Sequence, residues 1–146
     1  MDFEFLRPVE QQLYEEIVSA ESHNLGSQLF VHTLSSGIPD LDNVQLAIVS
    51  VNENRLAEGY EDEFLNFNKI RRSFYSLFPG NWHLNIADLG SIEKGETVED
   101  TYFAVQSLVK QLLKKNIIPI ILGGSQDLIY AQYRAYDFVE QMVNLV

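Results

Sequence analysis

The chain contains no cysteine. That removes a disulfide framework, an iron–sulfur cluster, a thiolate zinc site and a cysteine nucleophile together. Basic residues are scarce: 10 Lys and Arg stand against 21 Asp and Glu over 146 residues, a formal net charge of −11. Such an acidic balance disfavours a broad face for phosphate backbones or anionic lipid, so neither nucleic acid nor a membrane surface is an expected partner. Apolar runs last only a few residues, far short of the roughly 20 that span a bilayer. Acidic residues near Met1 stand where a secretory signal would be basic, and with the missing cysteine they predict a cytoplasmic protein. The apolar fraction of 46% nevertheless suffices for a packed core and is too high for a disordered chain.

Periodicity divides the chain into a lead-in over residues 1–43 and an α/β portion over 44–146. In the lead-in, Leu13, Ile17 and Val18 recur at helical spacing after Pro8, and a short strand is expected near Gln28 to Leu34. Val44 to Val51 is β-branched and almost wholly apolar, as a strand buried on both faces reads. Phe64, Phe67, Ile70, Phe74 and Leu77 predict a helix stopped by Pro79-Gly80, with the acids Glu58, Glu61, Asp62 and Glu63 as its solvated start. Leu84 to Leu89 predicts a second strand, and Thr97 with Asp100 predicts the cap of a helix whose stripe runs from Val98 to Leu113. Ile117 to Leu122 predicts a third strand, followed by Gly123-Gly124 and a helix capped by Ser125. Met142 to Val146 is a new apolar run, read as the beginning of another strand, so the domain looks incomplete at its C-terminus.

Strands alternating with helices predict an α/β fold of three layers around a mostly parallel sheet. Ligands of such sheets bind beyond the carboxyl ends of the strands. The candidate site residues are therefore Gly123, Gly124, Ser125, Gln126 and Asp127, where a buried strand meets a glycine pair and a helix start, and Asp88 at the tip of the second strand. A glycine pair also serves as a plain tight connection, and a lone strand-end acid also serves as a cap for backbone amides. His23, His32 and His83 have no metal-ligand spacing, and no Gly-x-Ser-x-Gly elbow is present. A receiver-type module would need an acidic pair after the first strand, where Asn52-Glu53-Asn54 stands instead.

The order of elements and the Ile118-Pro119-Ile120-Ile121-Leu122-Gly123-Gly124 stretch resemble the N-terminal half of the ureohydrolase superfamily, that is, arginase, agmatinase and formimidoylglutamase. The likeness runs from about Leu46 to Val146 and includes Asn68 to Tyr75 and the Ile86-Ala87-Asp88-Leu89-Gly90 strand end. The resemblance implies an arginase-like fold and, in the family, a manganese pair whose activated hydroxide attacks a linear amidine. The family's glycine pair is followed by Asp-His-Ser, with the histidine a metal ligand. Here Ser125-Gln126-Asp127 stands there, and the amide of Gln126 is a weak ligand beside imidazole. The family's later Asp-x-His-x-Asp and Asp-x-Asp segments are not in this sequence. This chain alone is thus expected to hold no metal and no catalytic residue. It reads as the front of a longer amidine hydrolase, or as a divergent noncatalytic binding or assembly domain, with self-association through an open sheet edge.

Overall fold

The computed structural model describes residues 3–18, 23–61, 63, 65–81 and 83–142. Strand β1 is Leu6–Arg7, helix α1 is Gln11–Ile17, and a 3-10 turn at Leu25–Gln28 leads into β2, Phe30–Val31. Then follow β3 at Leu46–Asn52, α2 at Phe67–Tyr75, β4 at Ile86–Glu93, α3 at Val98–Lys114, β5 at Ile118–Leu122 and α4 at Leu128–Phe138.

The strands form one sheet in the order β1-β4-β3-β5, with β2 also on β4. Strands β2, β3, β4 and β5 run parallel, and only the two residues of β1 run antiparallel. Strand β3 is central and its five middle residues are all buried. One face of the sheet packs on α3 and α4 through Val105, Leu108, Val109, Leu112, Leu128 and Ala131. The other packs on α1 and α2 through Leu13 and Tyr75. The expected three-layer α/β arrangement is present.

Helix α3 begins where its capping box predicts: the Thr97 side chain accepts from Asp100 N at 3.2 Å, and the Asp100 carboxylate accepts from Thr97 N at 2.8 Å. Asn116 closes it in the left-handed region at φ 59°. Other elements depart from the sequence-based expectation. Pro8 precedes rather than opens α1. The short strand expected near Gln28 to Leu34 is present as β2, but Leu6–Arg7 also enters the sheet, as β1 against β4. Helix α2 starts at Phe67 under the cap of Asn66, so Glu58, Glu61 and Glu63 lie in the loop before it. Helix α4 starts at Leu128, and Ser125 lies before its N-cap Asp127. The strand expected from Met142 onward falls largely on residues 143–146, outside the described residues.

Strand β4 runs four residues past Leu89, because it continues through a bulge. Ile48 pairs with Asp88 but Ser50 pairs with Ser91, one residue extra on β4. Gly90 occupies the bulge at φ 89°, and a Cβ there would lie 2.0 Å from the carbonyl oxygen of Arg7. Only glycine allows β1 to approach so closely.

Candidate functional site

The turn from β5 into α4 lies at the carboxyl end of the sheet, as expected of a ligand-binding edge. Gly123 and Gly124 both take positive φ, 73° and 87°. What approaches their backbone is the protein itself. A Cβ on Gly123 would meet Phe67 Cε1 at 2.2 Å, and one on Gly124 would meet Leu128 Cδ1 at 2.2 Å and the Glu53 carbonyl oxygen at 2.7 Å. Ser125 is buried and its N–H donates to that same Glu53 carbonyl at 2.8 Å. The pair of glycines thus locks the turn onto the loop following β3, while the side chain of Gln126 is exposed.

Beneath the turn sits a carboxylate that the sequence pattern does not single out. Glu53 is fully buried, and its carboxylate accepts from Arg55 Nη2 at 2.5 Å, Arg55 Nε at 2.9 Å, Arg55 N at 3.1 Å and Thr101 Oγ1 at 2.8 Å. Burial pushes its carboxyl up, but the bonds from Arg55 and Thr101 outweigh burial and hold it at about 2. Arg55 also donates to the carbonyls of Glu96 at 2.9 Å and Gly95 at 3.1 Å, tying the β3 loop to the start of α3. Glu53 is therefore a saturated structural carboxylate. Its signal in the sequence is the Glu53-x-Arg55 spacing, which lets one residue turn back on the other.

Asp127 differs. The Tyr102 hydroxyl donates to its Oδ2, while its Oδ1 is buried with no partner among the described residues. Burial and the neighbouring Asp127 push the Tyr102 hydroxyl well above its ordinary value, so it stays a proton donor. Asp127 Oδ1 is the one buried side-chain polar atom of the turn left without a protein partner among the described residues.

Asp88 stands elsewhere. It lies inside β4 rather than at a strand tip, at the level of Ile48, which on its other side pairs with Ile120 rather than with the glycine turn. It is fully buried, and accepts from Arg71 Nε at 2.8 Å, Arg71 Nη2 at 3.0 Å, the Tyr75 hydroxyl at 2.7 Å and Gly90 N at 2.9 Å. Burial works against charge on Arg71, yet Asp88 beside it raises the guanidinium above its ordinary value. Burial and Asp88 together push the Tyr75 hydroxyl far upward. The structure therefore brings Gly123 to Asp127 into one turn with Glu53 and places Asp88 in a separate buried ion pair. Of the histidines, His32 is buried with Nδ1 3.0 Å from the Leu89 carbonyl oxygen, and His23 and His83 are exposed. Among the described residues no three of His, Asp and Glu gather as a metal would require, so their donor set does not fit a manganese pair. No helix among them is long and apolar enough to cross a membrane.

A mostly parallel sheet with helices on both faces is a three-layer α/β fold. A solved protein similar to it is formiminoglutamase of Trypanosoma cruzi, in the crystal structure with Mn2+2, at a TM-score of 0.62 and 19% sequence identity. The match covers 80% of this chain and 40% of that chain, so the chain spans less than half the length of the protein it matches. At that identity the likeness is one of fold. No model of a known protein family matches the sequence, and no curated protein matches it either.

Proposed function

We propose that this chain is the N-terminal portion of an arginase-like ureohydrolase that hydrolyses a C–N bond in a linear amidine such as formiminoglutamate, arginine or agmatine. The carrying observation is the fold match to formiminoglutamase over 80% of this chain and 40% of that one. In this reading the chain supplies scaffold: β3, β5 and the Gly123-Gly124 turn shape one wall of the site. Metal ligands and the residues that read the substrate come from polypeptide outside these 146 residues, because the donor set among the described residues does not fit the metal.

A specific observation also favours a second reading, a divergent domain that binds or assembles without catalysis. Gln126, which the resemblance sets where the family has its histidine, is exposed at the surface of the turn. One pair of measurements separates the two. The intact mass of the protein made from its natural reading frame is expected well above the 16.7 kDa of this chain. That protein, supplied with manganese, is expected to release formamide or urea from one of the three amidines. A mass matching this chain, or a longer protein inert toward all three, refutes the hydrolase and leaves the binding domain.

A further inference from the structure

At the carboxyl ends of β3 and β4, against the first turn of α2, lies a cavity of about 210 Å3. None of the residues from Gly123 to Asp127 lines it. Its walls carry opposite charge. On the inner wall is Arg71, 2% exposed, whose Nε and Nη2 are held by Asp88 and whose Nη2 also donates to the Gly90 carbonyl at 2.6 Å. The third nitrogen, Nη1, reaches only Ser91 Oγ, at 3.5 Å, among the described residues. Arg71 lines the cavity and Asp88 does not, so of this ion pair it is the cationic partner that borders the space. On the outer wall is the exposed carboxylate of Glu93. Its Oε2 accepts from Asn52 Nδ2 at 2.9 Å, and its Oε1 has no partner among the described residues.

An anion in this space would meet Arg71 and the Ser91 hydroxyl, which also shares a hydrogen bond with Ser50 Oγ at 2.6 Å, but would face Glu93, and a cation would do the reverse. A ligand carrying both charges a few bonds apart meets both walls. The volume corresponds to about seven waters, which suits a compact molecule and is below the range of drug-sized ligands. We propose that this cavity binds a small zwitterionic α-amino acid, its carboxylate toward Arg71 Nη1 and Ser91 Oγ and its ammonium toward Glu93 Oε1. This site is independent of the reading of the chain as a ureohydrolase portion, and its ligand need not be an amidine.

The test is titration calorimetry on the natural full-length protein, in chelator to exclude metal, with four probes: alanine, acetate, methylammonium and inorganic phosphate. Alanine is expected to bind saturably at one per chain, at least about tenfold more tightly than acetate or methylammonium, as expected when each single-charge probe forfeits one charged hydrogen bond. Glu93→Gln is expected to weaken alanine by about tenfold or more while leaving acetate unweakened and the melting temperature unchanged. Ser91→Ala is expected to weaken alanine and acetate alike. Failure of alanine to saturate by roughly ten millimolar overturns the proposal. So does phosphate or methylammonium binding as tightly as alanine, which would make the cavity a simple ion site. Unchanged alanine affinity in Glu93→Gln overturns it as well.

Discussion

Replacing Asp88 with Asn is the sharpest probe of how this sheet is held. The carboxylate accepts four hydrogen bonds, two from Arg71, one from Tyr75 and one from the bulge amide of Gly90. The side chains of Arg71 and Asp88 are 2% and 1% exposed, so solvent screens neither charge. An Asn side chain keeps the shape but turns an NH2 group toward donors and leaves a buried guanidinium without its counter-charge. Breaking a buried pair this way costs about 3–5 kcal/mol, a large share of the roughly 5–15 kcal/mol that stabilises a typical domain. The cost is read from urea unfolding followed by far-ultraviolet circular dichroism on the natural full-length protein. A companion variant with Arg71→Met, Asp88→Leu and Tyr75→Phe removes the charges and the phenol together and is expected to recover part of the loss, though the Gly90 N–H stays unpaired. A loss below about 1 kcal/mol in Asp88→Asn would falsify the view that an uncompensated charge is the dominant penalty.

Glu53 links stability to acid. Its folded value of about 2 lies below the ordinary 4.5, so its contribution is complete above pH 4.5 and is lost as pH falls toward 2. Glu53→Gln should therefore flatten the acid limb of a stability–pH curve by about 3 kcal/mol, and an unchanged limb would assign the acid sensitivity to other carboxylates. Gly124→Ala meets both the left-handed backbone and the Glu53 carbonyl 2.7 Å from the new Cβ, so a loss of at least about 2 kcal/mol is expected in the same unfolding assay. A neutral result there would mean the turn relaxes freely. Thr97→Ala, which removes the α3 cap, should cost about 1 kcal/mol, and Thr97→Asp should largely restore it.

The elements that could be read from the sequence are those whose signal is local. Val44 to Val51 and Ile117 to Leu122 are apolar runs between turn residues and became β3 and β5. Thr97 and Asp100 satisfy each other three residues apart, so the start of α3 needs nothing distant. The elements that were not legible depend on remote partners. Leu6 and Arg7 are a strand only because Ser91 and Ile92 lie beside them, and two residues carry no periodicity. The course of β4 beyond Leu89 is hidden because Gly90 and Ser91 look like a turn until β1 and Ser50 pair with them. The site shows the same division. Gly123 and Gly124 mark their own turn, whereas the roles of Glu53 and Asp88 emerge only when Thr101 and Arg71 arrive from distant segments. Asp88 therefore reads as a crevice acid and proves to be the anchor of α2 on the sheet.

The strand order has a consequence for how the chain is born. Leu6 pairs with Ile92, and Phe30 pairs with Ala87, so the first two strands have no place to dock until β4 has left the ribosome. Strand β3 likewise waits for β4 on one side and, later still, for β5 on the other. Pairings this remote close large loops before they are rewarded, which makes assembly slow and leaves the apolar β3 segment uncovered meanwhile. Until β5 has emerged, β3 lacks its partner on that side, and the lead-in, made before β4, has to wait for that strand to find its place.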